Sequence, residues 1–238
     1  MRIFIAGASG AIGRRLVPLL VAEGHHVTGA TRSADRVAVI AALGARPAIV
    51  DVLDAAALAA AIADARPAVV IHQMTDLPKV FDRDALAAAR EANARLRREG
   101  TRNLVAAARA AGAERLVAQS VAFLYTTGRL PHEVSDPLDA SPAHEVTVSG
   151  VKALEEAVTG TAGLTGIVLR YGRLYGPGTW HERPGEPPTV HVDAAADAAR
   201  LAVTRGAAGI YNIADDDGSV SIERARAELN FNPGFRAG

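Results

Sequence analysis

The chain has 238 residues, 49% of them hydrophobic, and its 26 Lys and Arg balance 26 Asp and Glu. That is enough apolar material for one sizeable α/β core, and the neutral balance excludes a global attraction to nucleic acid or an anionic membrane. Cysteine is absent, which excludes disulfides, thiol catalysis and cysteine metal sites; the seven histidines are scattered, with His25 and His26 adjacent instead of at ligand spacing.

A strand is expected from residue 2, leaving no room for a signal peptide, and no uncharged apolar stretch is long enough to span a membrane, so the expected location is cytoplasmic. The opening run Arg2-Ile3-Phe4-Ile5-Ala6 is short, β-prone and closed by glycine. After it come Gly7-Ala8-Ser9-Gly10-Ala11-Ile12-Gly13 and then Leu16, Leu19 and Leu20 at helical spacing, which reads as strand, glycine turn, helix. This is the pattern of a dinucleotide-binding turn. Gly7 permits the sharp exit from the strand, Gly10 removes a side chain that would hold a pyrophosphate away, and Gly13 lets the helix approach the sheet. The helix N–H groups and positive dipole end then face the phosphates.

His26 to Thr31 reads as the second strand, with Arg32 at its end. A fold selective for NAD puts an acid near this point to accept from the ribose hydroxyls, whereas Arg32 and Ser33 offer donors to a 2′-phosphate, so NADP is favoured over NAD. The competing reading makes Arg32 and Arg36 solvated helix-start residues. Ala48 to Val50 is a third strand ending in Asp51 and Val52, and Asp54 is placed to cap an Ala-rich helix over about 55–64. Val69 to Ile71 is a fourth strand. His72 and Gln73 lie at its carboxyl end, where α/β folds bind ligands.

Residues 84–112 are expected to be helical, in one piece or two. Arg90, Arg95, Arg97 and Arg98 there, interspersed with alanine and glutamate, read as a solvated helix face. A fifth strand is expected over 115–119 with Ser120 at its polar end, a Gly- and Pro-rich loop over 126–142, a helix over 145–159 and a sixth strand over 167–169. The string Arg170-Tyr171-Gly172-Arg173-Leu174-Tyr175-Gly176-Pro177-Gly178 comes next. An Ala-rich helix opens at Val190-His191-Val192-Asp193, a last strand spans 209–213, and a helix after Ser221 ends near Asn230. The alternation implies a doubly wound parallel sheet, one Rossmann domain over 1–238, in which about 173–238 contribute a small substrate lobe.

The Gly-x-x-Gly-x-x-Gly spacing at Gly7, Gly10 and Gly13 and the Arg170 to Gly178 string resemble the extended and atypical short-chain dehydrogenase/reductases related to the NAD-dependent epimerase/dehydratase group, over almost the whole chain. The resemblance implies that Asp51 accepts from the adenine amino group and that the Val52 N–H meets the ring. It also implies cofactor contacts from Ser9, Ala11, Ile12, His72, Gln73 and Tyr171, and a homodimer formed by the helices over 84–112 and 145–159.

Catalytic relatives use a Ser, Tyr and Lys set, with the Lys four residues after the Tyr. Lys152 sits where that Lys belongs, for catalysis and for holding the cofactor ribose. Four residues earlier is Val148, which has no proton to give. The expected site is therefore Ser120, Lys152 and a surrogate acid, with Tyr125 ahead of Tyr171 and Tyr175. The expected function is an NADP-dependent oxidoreductase or epimerase/dehydratase-like enzyme acting on a small carbonyl or hydroxyl substrate. Two alternatives stand beside it: a catalytically silent NADP-binding sensor of NmrA-like type, and an enzyme whose chemistry needs no Tyr.

Overall fold

The computed structural model describes residues 1–78 and 80–237. Nine strands form among the described residues: β1 (Arg2–Ala6), β2 (His26–Thr31), β3 (Arg46–Ile49), β4 (Val69–His72), β5 (Arg115–Val121), β6 (Thr165–Tyr171), β7 (Arg173–Tyr175), β8 (Thr189–His191) and β9 (Gly209–Ile213). The helices are α1 (Gly13–Ala22), α2 (Val37–Ala42), α3 (Ala55–Ala65), α4 (Arg83–Arg95), α5 (Thr101–Ala110), α6 (Glu145–Thr159) and α7 (Val192–Leu201). Seven strands form one parallel sheet in the order β3-β2-β1-β4-β5-β6-β9, and β7 pairs with β8 in a separate two-stranded sheet.

Parallel strands joined by helices have both faces covered, so they read as continuous apolar runs. In β1 the period of two sends Ile3 and Ile5 to one layer, where Leu16, Val17 and Leu20 of α1 and the alanines of α7 meet them. Phe4 and Ala6 go to the other, against Leu58 and Ile62 of α3, Leu104 of α5 and Leu154 and Val158 of α6. β6 is buried almost along its whole length, and β9 covers its outer side in the register Ile167 to Gly209 through Tyr171 to Ile213. The chain beyond residue 173 thus divides between the main sheet, the layer of α1 and the small β7–β8 sheet.

The expected helix over 84–112 is α4 and α5 joined without a break by a π-helical segment, Leu96–Gly100. The extra residue of this segment rotates α5 relative to α4. A Cβ on Gly100 would lie 3.1 Å from Val52 Cγ2, so this turn passes close to the loop after β3. The tail helix after Ser221 also closes in a π turn, Ala225–Leu229, with Asn230 left-handed at φ 63°. No helix of the described residues is long and apolar enough to cross a membrane.

Candidate active site

The sheet order reverses direction between β1 and β4, and the crevice outside their carboxyl ends is where such folds take ligands. The three glycines of the first turn each have a distinct physical reason. Gly7 has φ +93°, and a Cβ there would lie 2.4 Å from the Gln73 carbonyl oxygen, so it is both left-handed and pressed against the end of β4. At Gly13 a Cβ would lie 2.4 Å from the Gly7 carbonyl oxygen. Gly10 is exposed and a Cβ there would meet nothing nearer than 3.4 Å, so the protein's own packing does not demand glycine at this position and its open face is left free.

Above that open face the backbone N–H groups of Ala11 and Ile12 make no hydrogen bond among the described residues, while Gly10 N–H donates to the Gly7 carbonyl and Arg14 N–H to that of Gly10. The turn, with Ser9 half-buried beside it, fits a pyrophosphate: free donors, a dipole end and no side chain in the way. The Arg14 side chain braces the turn by donating to the Ser9 carbonyl at 2.9 Å.

Arg32 and Ser33 leave β2 on the same edge. Arg32 is exposed and donates to Asp76 Oδ1 at 2.5 Å, in an ion pair across to the loop after β4. Ser33 is half-buried, its N–H on the Thr31 hydroxyl at 3.2 Å. Asp51 accepts the Leu53 N–H at 2.9 Å, which fixes the turn after β3, and the Val52 carbonyl is held by Asn103 at 2.9 Å. The N–H of Val52 makes no hydrogen bond among the described residues. Asp54 caps α3 through the Ala57 N–H, as its position predicts.

At the end of β4 the two polar residues part. Gln73 donates to the Tyr171 hydroxyl at 3.3 Å, and its buried Oε1 has no partner. Tyr171 is fully buried, and burial pushes its pKa up, so it is poorly suited to give up a proton. His72 faces the opposite layer, its Nδ1 accepting the Met74 N–H at 3.3 Å and its buried Nε2 without a partner. Burial lowers its pKa to about 4, and the nearby charge of Arg97 acts in the same direction.

The expected Ser, Tyr and Lys residues are not brought together as one set. Ser120 is buried and donates to Glu155 Oε1 at 2.8 Å. Arg170 grips the same carboxylate through Nε and Nη2 at 2.8 and 2.7 Å, and its Nη1 donates to the Tyr125 hydroxyl at 2.8 Å. Tyr125 gives its own proton to Asn212 Oδ1 at 2.7 Å, and burial raises its pKa. Ser120 and Tyr125 are therefore joined through Glu155 and Arg170 in a structural network.

Lys152 is exposed on the outer face of α6, beside Glu145, Ser149 and Glu156. The helical period explains this: Val151, Leu154, Glu155 and Val158 share the buried face, and Lys152 is one step of 100° outside it. Val148 is buried with Val151, Leu124 and Leu138. Tyr175 is half-buried, stacked edge-on against His191, and burial raises its pKa.

Two features escaped the linear reading. Asp76, the partner of Arg32, is held in place by Asn93 of α4, whose side chain contacts both the N–H and the carbonyl of Asp76 at 2.8 Å. The other is the π segment Leu96–Gly100 itself, which lies inside a stretch that composition reads as one solvated helix face. The signal available in the sequence was Gly100, a glycine inside a helical pattern.

Comparison with known proteins agrees with this geometry. A family model described as NAD(P)H-binding matches residues 7–205. A 3-diazoavenalumate denitrifying reductase from Streptomyces is 42% identical, over 91% of this chain and 77% of that one. The UDP-glucose 4-epimerase of Thermotoga maritima superposes with a TM-score of 0.79 at 17% identity, covering 99% of this chain and 94% of the other. The UDP-glucuronic acid 4-epimerase of Bacillus cereus gives 0.75 at 17%, covering 99% and 95%. With the glycine turn intact and a family match over residues 7–205, the chain belongs to the NAD(P)H-binding family.

Proposed function

We propose that the protein is an NADPH-dependent reductase whose hydride acceptor needs no proton from the protein, and that this acceptor is an aromatic diazonium acid. The observation that carries the reading is the state of the hydroxyls around the site. Val148 and Val151 are buried aliphatic residues, Ser120 is engaged by Glu155, and Tyr125 by Arg170 and Asn212. Reducing a carbonyl ends on an alkoxide, and loss of a positioned acid costs about 10² to 10⁴ in rate. Replacing a diazonium group by hydrogen has no such requirement. The carbon–nitrogen pair leaves with dinitrogen, the hydride pair forms the carbon–hydrogen bond, and cation plus hydride give neutral products.

A relative at 42% identity is named as a denitrifying reductase of a diazo compound, which supports this class. Bound NADPH supplies the hydride. In this reading the protein's own residues bind and orient: the Gly7 to Gly13 turn with Ser9, Ala11 and Ile12 holds the pyrophosphate, and Arg32 and Ser33 take the 2′-phosphate. Asp51 and Val52 meet the adenine, and Gln73 and Tyr171 flank the nicotinamide. Phe81 and Trp180 lie edge-on with centroids 5.6 Å apart on the loops after β4 and β7, and they offer an aromatic ring a stacking surface. Assembly as a homodimer through the α4–α5 stretch and α6 belongs to the same reading; light scattering giving a 24.7 kDa monomer at micromolar concentration would overturn it.

The test is incubation with 4-carboxybenzenediazonium and NADPH carrying deuterium at C4. We expect the arene to carry that deuterium, faster than without protein, and Tyr125→Phe to retain the rate. The engaged hydroxyls also suit a protein that binds NADPH without turnover. NADPH binding with no turnover of the diazonium or of ketones would establish that second reading and sink the first.

A further inference from the structure

Arg173 opens β7 just after β6 leaves the sheet, and its guanidinium is fixed from both sides. Its Cζ lies 4.8 Å from the centroid of the Phe123 ring, on the segment that leaves β5. Its Nη1 donates to the carbonyls of Glu186 at 3.3 Å and Pro187 at 3.0 Å. The Arg173 N–H donates to the Pro188 carbonyl at 2.8 Å, so backbone and side chain hold the same stretch of chain. Gly172 permits that approach, since a Cβ there would lie 2.7 Å from the Thr189 carbonyl carbon. β5 and β6 are parallel neighbours in the sheet. The contacts therefore set the cation across their two carboxyl ends, on the edge of the sheet that carries the ligand crevice.

The five donors of this guanidinium divide unevenly. The two of Nη1 go to backbone carbonyls, while Nε and Nη2 make no hydrogen bond among the described residues. The carboxylate of Glu186 stands 3.6 Å from Nη2 and is 83% exposed, too far for a hydrogen bond and screened by water. The cation is thus positioned by neutral carbonyls and an aromatic face without being neutralised. What is left open is the Nε and Nη2 edge, where two parallel N–H groups match the two oxygens of a carboxylate. The side chain is 39% exposed, so a ligand can reach it.

The wall beside that edge is apolar. Phe123 packs against the cluster of Leu124, Leu138, Val148 and Val151. Val148 is the residue that stands four positions before Lys152, where a proton donor was expected. In place of an acid, this part of the site joins a flat apolar wall to one uncommitted cationic fork. That combination suits a conjugated ring bearing a carboxylate.

We propose that Arg173 is a specificity-determining residue of the substrate site, taking the carboxylate of an aromatic acid on its Nε and Nη2 edge while Phe123 supports the plane of the guanidinium. The aromatic class of the ligand rests on the reductase reading above, while the anion site rests on the contacts of Arg173 itself. Glu186 is then a competitor that the incoming carboxylate displaces. A contact of this kind discriminates between a carboxylate and its neutral amide, because the amide leaves the cation without a counter-charge.

The experiment is calorimetry on the protein saturated with NADP, titrated with trans-cinnamate and with trans-cinnamamide, so that no turnover is needed. We expect the wild-type protein to bind cinnamate about 5- to 30-fold more tightly than the amide, a charge-assisted contact reduced by partial exposure. Arg173→Met should abolish the difference, Arg173→Lys should keep a minor part of it, and NADP affinity should stay within about 3-fold in both. A preference for cinnamate that survives in Arg173→Met would overturn the proposal. So would absence of cinnamate binding to the wild type at millimolar concentration, or a loss confined to NADP affinity, which would give the guanidinium to the cofactor. Should Arg173→Met fail to fold, Arg173→Lys decides: full retention of the preference by a single ammonium refutes the two-pronged contact. Glu186→Gln should bind cinnamate at least as tightly as the wild type, and weaker binding would refute its role as competitor and the proposal with it. Intact discrimination without diazonium turnover would sink the reductase reading and leave the anion site standing; turnover without discrimination would do the reverse.

Discussion

The pair formed by Arg32 and Asp76 makes cofactor choice a matter of competition. The two side chains are 60% and 35% exposed, so although they lie 2.5 Å apart their attraction is screened and contributes about 0 to 1 kcal/mol. A 2′-phosphate offers the same guanidinium a contact worth about 1.5 to 3 kcal/mol. After subtraction of the ion pair that must open, Arg32 should contribute about 1 to 2 kcal/mol to NADPH binding and almost nothing to NADH. Arg32→Ala should accordingly weaken NADPH about 5- to 30-fold. Asp76→Asn should strengthen it by up to about 5-fold, because the loop is held by Asn93 through the Asp76 backbone and stays in place when the carboxylate is neutralised. In the Arg32→Ala background Asp76→Asn should have no effect. Fluorescence titration of both cofactors against all four proteins checks the cycle. Equal losses for NADPH and NADH in Arg32→Ala would refute the assignment, and an unchanged response to Asp76→Asn would refute the competition.

The glycine turn separates folding from binding: Gly10→Ala should melt within a few degrees of the wild type yet lose NADPH, while Gly13→Ala, aimed at the Gly7 carbonyl 2.4 Å away, should lower the melting temperature itself. Equal thermal shifts in the two variants would contradict this. Removing Glu155 strands Arg170, so Glu155→Ala should cost about 3 to 5 kcal/mol in urea denaturation, against about 1 for Ser120→Ala; a loss below 1 kcal/mol for Glu155→Ala would show that the pair is dispensable. His72 has a folded pKa of about 4 against an ordinary 6.5, so on acidification the unfolded chain takes up the proton first. The stability it contributes is present above about pH 6.5 and is lost as pH falls toward 4, on the order of 3 kcal/mol in all. Urea titrations at pH 7.5 and 4.5 should show a smaller drop for His72→Asn than for the wild type, and equal drops would remove His72 as the cause.

The glycine turn and the helix cap were legible because their causes are local. A strand, a turn with Gly7, Gly10 and Gly13 and a helix occupy adjacent residues, and the Asp54 cap lies three positions from the N–H that it binds. The network that engages the expected catalytic hydroxyls is built from residues far apart in the chain, such as Ser120, Glu155 and Arg170, and a helical register can be misjudged by one position. That is what separates Lys152, on the surface, from Val151 in the core. The π segment was hidden for a related reason. The π turn that joins α4 to α5 depends on an inserted backbone residue, which a run of helix-forming residues does not announce.

The place of β9 bears on how this chain is made. Strands β1 to β6 extend the sheet outward from β1 on both sides, so a growing chain can add most of them to an existing edge. While the chain is incomplete, that edge is β6, with Ile167, Val168 and Leu169 all fully buried in the finished protein. Until β9 arrives, β6 presents an apolar strand with free backbone groups, the kind of edge on which a second chain pairs. The last thirty or so residues therefore act as a seal against association during synthesis, and a chain ending before Gly209 should aggregate even though its glycine turn is complete.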